Sequence, residues 1–147
     1  MANEVFTSLH RVTYAWCTMG DHVYYGRYLD MLEAARGEFF RHLGTTFLQW
    51  QEAGLAFPVI ECHLRYKTPA RYDDLLSVDL WVIRLDRLHV EFGYRTLKED
   101  RGVVLEAATH HIGAGLDGRP RRLPPNLVER LQPYVRAIAP TDQPPTP

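Results

Sequence analysis

Residues 26–44 read GRYLDMLEAARGEFFRHLG, and the arrangement of the whole chain turns on this stretch. Tyr28, Leu32, Ala35, Phe39 and Leu43 recur at spacings of three and four, which is one continuous face of an α-helix. Arg27, Asp30, Glu38 and Arg41 lie away from that face, and Gly44 supplies a stop. The spacing predicts a helix from about Gly26 to Leu43 that is too apolar to lie uncovered on a surface. Something must wrap it.

The flanking sequence supplies the wrapping. Residues 5–15 (VFTSLHRVTYA) are rich in β-branched and aromatic residues and read as a first strand. Residues 45–54 add a short helix before Gly54, after which the period changes to two. Ile60, Cys62, Leu64 and Tyr66 alternate with Glu61, His63, Arg65 and Lys67, so one set is expected to face a core. TPARYDD (68–74) breaks this strand. Leu76, Val78, Leu80 and Val82 alternate in the next, and Val90, Phe92 and Tyr94 in a third, beyond a tight turn near Asp86 and Arg87. GVVLEAATHHIGAG (102–115) is the last strand, followed by a turn and polar arm and a short helix over 126–136. One strand, one long buried helix and four mostly antiparallel strands make an α+β domain over residues 1–138, a sheet curled round a helix. The proline-rich tail 139–147 (APTDQPPTP) is expected to be disordered.

Composition narrows the function classes. The chain has 147 residues, enough for one real core, and a formal net charge of -1 that gives no bulk attraction for nucleic acid or anionic membrane. No apolar run approaches the roughly 18 residues of a membrane span. The N-terminus MANEVFTSLHRV lacks the apolar core of a signal peptide, so a cytoplasmic protein is expected. Cys17 and Cys62 match no metal-ligand spacing and read as free thiols. His110 and His111 are neighbours on a strand and point to opposite faces, which argues against a shared metal.

With these elements in order, the segments RVTYAWCTMGDHVYYGRYLDMLEAARGEFF, VIECHLRYKTPARYDDLLSVDLWVIRLDRLHVEFGYRTL and GRPRRLP resemble the 4-hydroxybenzoyl-CoA thioesterase branch of the hotdog-fold acyl-CoA thioesterases. The resemblance runs over about residues 8–125. It implies a hotdog fold, a five-stranded antiparallel sheet wrapped round one long central helix, and hydrolysis of an acyl-CoA or aryl-CoA thioester without a cofactor. It also implies a homodimer or homotetramer with sites at the subunit interface. In that family the loop before the helix carries a catalytic Asp. Here the two matching positions hold Trp16 and Thr18, while His22, Val23 and Tyr28 fit the pattern.

Thioester hydrolysis needs a positioned water, a proton acceptor and a stabilised oxyanion. By the resemblance, the helix N-terminal amides near Tyr25 and Gly26 would face the thioester oxygen, where unpaired N–H groups carry partial positive charge. Thr18 can hold a water. Asp21 is the best remaining carboxylate and reads either as a base or as a solvated loop or helix-capping carboxylate. His22 reads either as a base or as a packing residue. An acyl-enzyme on Cys17 lacks any partner that would activate the thiol. Glu33 and Arg36 are spaced to pair on the helix, or else to reach an acyl pocket. Tyr24, Arg36, Lys67 and Thr68 are the expected substrate-binding residues. Arg65, Arg71, Arg119, Arg121 and Arg122 are further cations available to CoA phosphates. Some hotdog thioesterases of enediyne polyketide pathways resemble this loop in lacking the acid, carry an arginine at the position of Arg36, and act on carrier-protein thioesters. A non-catalytic acyl-thioester binding or scaffold protein is the third reading.

Overall fold

The computed structural model describes residues 3–137. The elements in chain order are β1 (Phe6–Arg11), β2 (Cys17–Thr18), β3 (His22–Val23), α1 (Tyr28–His42), α2 (Phe47–Glu52), β4 (Leu55–Ala56), β5 (Val59–Tyr66), β6 (Leu75–Leu85), β7 (His89–Leu97), β8 (Val103–Ile112), β9 (Ala114–Gly115) and α3 (Pro125–Leu131). A 3-10 turn, Tyr25–Arg27, leads directly into α1. The expected tail 139–147 lies outside the described residues.

The main sheet has five strands in the order β1-β6-β7-β8-β5, every neighbour antiparallel. α1 lies in its concave face, so the fold is a hotdog fold. Tyr28, Met31, Leu32, Ala35, Phe39 and Phe40 of α1 are all buried. The buried face is therefore wider than the spacing of apolar residues suggested, taking in Met31 and Phe40 as well. Leu76, Val78, Leu80 and Val82 of β6 and Val90, Phe92 and Tyr94 of β7 meet the helix as buried residues, which removes their apolar surface from water. At the centre, Gly93 sits opposite Trp81. A Cβ there would lie 2.7 Å from the indole Cε2, so the glycine makes room for the ring.

One expectation fails in an informative way. β5 alternates in sequence, yet it is exposed along nearly its whole length, with Leu64 alone half-buried. It is an edge strand, paired on one side to β8. Leu64 packs against the core and the Tyr66 ring meets Tyr25 and Tyr28, while Val59 and Ile60 are about half exposed.

α2 begins at a capping box in which the Thr46 hydroxyl accepts from the Gln49 N–H and the Gln49 side chain accepts from the Thr46 N–H. This fixes the Phe47–Trp50 turn beside Phe40, whose ring centroid lies 4.5 Å from that of Phe47.

Candidate active site

Just before α1, β2 and β3 form a small hairpin with Cys17 opposite Val23 and Thr18 opposite His22. Its turn closes through the Asp21 N–H, which donates to the Thr18 carbonyl at 3.1 Å. Gly20 (φ 85°) and Asp21 (φ 61°) both adopt the left-handed conformation, open to Gly and tolerated by Asp better than by most residues. Val23 is buried and Cys17 partly so, hence that cross-strand pair faces the core. The Thr18–His22 pair faces the other way, and directly opposed side chains sit about 5 Å apart at Cβ. The hairpin therefore sets the Thr18 and His22 side chains beside each other on its outer face.

The segment around Ala70 braces this hairpin. The Val23 N–H donates to the Ala70 carbonyl (3.0 Å), Arg71 Nη1 to the Gly20 carbonyl (3.2 Å) and the Tyr72 N–H to Asp21 Oδ1 (3.4 Å). The Ala70 N–H donates in turn to the buried Tyr28 hydroxyl at 3.2 Å. Burial pushes the Tyr28 phenol up, so it stays protonated and neutral. Asp21 Oδ1 thus accepts from the segment after β5, which braces the turn.

At the start of the helix, the Arg27 N–H makes the first helical hydrogen bond, to the Tyr24 carbonyl at 2.8 Å. The N–H groups of Tyr25 and Gly26 precede it and have no intrahelical acceptor. The Tyr66 hydroxyl donates to the Tyr25 carbonyl at 3.1 Å, which ties the end of β5 to the helix start. Lys67 and Thr68 follow Tyr66 directly and are exposed, as are Tyr24 and Tyr25, whose rings lie 4.6 Å apart. Thr18, His22, Tyr24, Tyr25, Gly26, Lys67 and Thr68 thus belong to one region, gathered round the helix N-terminus.

Arg36 lies elsewhere. It does not pair with Glu33; its Nη1 donates instead to the Tyr94 hydroxyl at 3.1 Å, because β7 offers a fixed acceptor that an exposed carboxylate does not. Tyr94 Oη lies 2.7 Å from Thr109 Oγ1, Thr109 Oγ1 lies 2.9 Å from His111 Nε2, and His111 Nδ1 lies 3.0 Å from the Phe57 carbonyl. A carbonyl only accepts, so Nδ1 carries the proton. His111 has its pKa lowered to about 4, first by burial and then by the Arg36 charge, so near neutral pH its Nε2 accepts. The hydrogen bonds then run one way: Arg36 to Tyr94, Tyr94 to Thr109, Thr109 to His111, His111 to Phe57. Tyr94, Thr109 and His111 are 0%, 1% and 3% exposed. Arg36 and His111 line a cavity of about 200 Å³ with Phe40, Phe47, Phe57 and Phe92 among its walls and Glu33 on its border.

The other expected residues sort simply. The Cys17 thiol is pushed up by desolvation and by the Asp21 and Asp74 carboxylates, the opposite of an activated thiolate. Arg121 Nη1 donates to the Gly54 carbonyl at 2.8 Å, and Arg71 is bound to the hairpin as above, so both act within the chain. His111 points inward and His110 does not share its face. Among the described residues no group of three metal-ligating side chains comes together, and no helix is long and apolar enough to cross a membrane. The sequence reading missed Tyr94, Thr109 and His111 as a unit. Their signal was present: Thr109 and His111 continue the inward set begun by Leu105 and Ala107, where polar residues are out of place.

A five-stranded antiparallel sheet wrapped round a central helix, with the helix start beside a short hairpin, defines a hotdog-fold protein. A family model described as the thioesterase-like superfamily matches residues 12–131, and the chain belongs to that superfamily. It is 33% identical over 110 residues to the acyl-CoA thioesterase YbgC of Haemophilus influenzae, covering 74% of this chain and 79% of that protein. It is 25% identical over 90 residues to the putative acyl-CoA thioesterase YneP of Bacillus subtilis, 61% of this chain and 65% of that protein. The chain thus spans just under two thirds of the latter's length. A crystal structure of a hypothetical protein from Aquifex aeolicus superposes with a TM-score of 0.81 at 30% identity, over 86% of this chain and 98% of that one.

Proposed function

We propose that this protein hydrolyses an acyl-CoA thioester, aliphatic or aryl, to the free acid and CoA. The observation that carries the proposal is the helix start, where the Tyr25 and Gly26 amides lie ahead of the first helical hydrogen bond. These amides receive the thioester oxygen as it becomes an oxyanion, a contribution of about 2.7–4 kcal/mol for one such donor. A water held by Thr18 attacks the carbonyl carbon. His22, its cross-strand partner, takes the proton as the C–O bond forms and returns it to the departing thiolate as the C–S bond breaks. Asp21 steadies the turn through Tyr72. Tyr24, Lys67 and Thr68 contact the pantetheine arm.

Association of two copies through β5 fits this reading, since the edge is unpaired on one side and apolar side chains there are exposed. A carrier-protein thioester is the second reading, favoured by Thr18 standing where the acid is expected and by Arg36 reaching a cavity. Turnover on short, medium, long and aryl acyl-CoA, set beside an acyl-carrier protein, tests both. Activity on the carrier protein alone selects the second reading, and tight binding with no turnover of either selects a binding protein. Within an active enzyme, His22→Gln lowers kcat about 100-fold or more and Asp21→Asn only a few-fold. The reverse pattern returns the base to Asp21. Thr18→Asp tests whether the carboxylate found in the related loop works in this one.

A further inference from the structure

Among the described residues Arg36 donates one hydrogen bond, to Tyr94, and forms no ion pair. The rest of its N–H fork has no partner among the described residues, and the side chain is half-buried at the wall of a mostly apolar cavity. A guanidinium taken partly out of water gains from an anionic partner, and the cavity gives an anion access to this one. The fork is also aimed. Its position is fixed by Tyr94, itself held by Thr109 and His111, in a chain of bonds that ends on the Phe57 carbonyl. Such a planar donor set matches a carboxylate.

Size and position say what carries that carboxylate. About 200 Å³ is below the roughly 300–1,000 Å³ of a site that encloses a whole drug-sized ligand, so the cavity takes the end of a chain. Arg36 lies ten residues along from Gly26, on the order of 15 Å at about 1.5 Å per residue. With C–C bonds of about 1.5 Å, a thioester carbonyl at the helix start and a group at Arg36 are separated by a chain of roughly ten bonds or more.

We propose that this cavity receives the free carboxylate at the far end of an ω-carboxyacyl thioester, paired to Arg36, with Phe40, Phe47 and Phe57 enclosing the last methylenes. Tyr94 is a positioning residue: it orients the guanidinium and does not touch the ligand. Glu33, exposed at the cavity border, disfavours the incoming charge. The proposal rests on the acyl-thioester reading for its substrate, but the subsite can be tested without hydrolysis.

Calorimetric titration compares octanoate with 1-octanol, equal in chain length and different only in the charged end. The wild-type chain is expected to bind octanoate at least about 10-fold more tightly, equivalent to about 1.4 kcal/mol. Arg36→Met erases the difference, Tyr94→Phe reduces it, and Glu33→Gln enlarges it. Equal binding of the two probes by the wild type, binding of neither, or a difference that persists in Arg36→Met overturns the proposal. Then kcat/KM is compared for decanoyl-CoA and 9-carboxynonanoyl-CoA. Octanoate bound at Arg36 with no hydrolysis of either thioester leaves the anion site standing and sinks the thioesterase reading. Hydrolysis of both at the same kcat/KM detaches the site from the acyl path and overturns the substrate assignment.

Discussion

Acidification is expected to loosen this protein through His111, and one substitution isolates the effect. The imidazole is kept neutral in the folded state, its pKa lowered from 6.5 to about 4 by burial first and the Arg36 guanidinium second. Protonation there would put an N–H on Nε2, facing the Thr109 hydroxyl. The buried Thr109 hydroxyl would then lose the acceptor of its own proton. In the unfolded chain the ring titrates near its ordinary value of about 6.5. Between the two values the unfolded state binds more protons. The contribution is therefore complete above about pH 6.5 and is lost as the pH falls toward 4. At about 1.4 kcal/mol per unit, the interval from 6.5 to about 4 sets a ceiling of about 3 kcal/mol. Roughly 2 kcal/mol of that is gone by about pH 4.5, a large share of a typical total of about 5–15 kcal/mol. Urea unfolding followed by Trp fluorescence, near pH 7 and near pH 4.5, reads the loss directly. Carboxylates add an acid limb of their own, so the comparison is with His111→Gln, which cannot titrate. The variant is expected to be less stable near pH 7 but to lose about 2 kcal/mol less on acidification. Identical acid losses in the two proteins refute the reasoning and place the acid sensitivity elsewhere.

Two further outcomes follow from packing and from the sheet edge. Gly93→Ala drives a Cβ to 2.7 Å from the Trp81 ring, and since the ring is 2% exposed and cannot swing away, thermal unfolding should report a loss of about 1–3 kcal/mol; an unchanged midpoint would mean that the ring moves freely. If β5 is the surface that joins two copies, the wild type sediments as a dimer or larger at micromolar concentration and Ile60→Lys shifts it toward monomer, because a lysine on an edge opposes pairing; a wild-type monomer removes the shared-interface reading.

Local periodicity carried most of the architecture. The three- and four-residue spacing from Tyr28 to Leu43 specified α1, and the two-residue spacing specified β6 and β7, because those elements bury apolar side chains against each other within the chain. The same alternation in β5 misled, since periodicity reports that a face is apolar but not what covers it. Thr18, Tyr25 and Gly26 could be proposed as site residues from the family resemblance, because loop and helix start are adjacent in sequence. The pairing of Thr18 with His22, and the occupation of Asp21 by Tyr72, required the hairpin turn and the segment after β5 to meet. Arg36 shows the limit most plainly. Helical spacing offered Glu33 as its partner, three residues away, and only the wrapped sheet brought Tyr94 to it across 58 residues of chain. Sequence alone determined which residues sit on which face of each element. Tertiary structure decided which faces meet, because a hydrogen bond depends on distance and direction in space and is indifferent to separation along the chain.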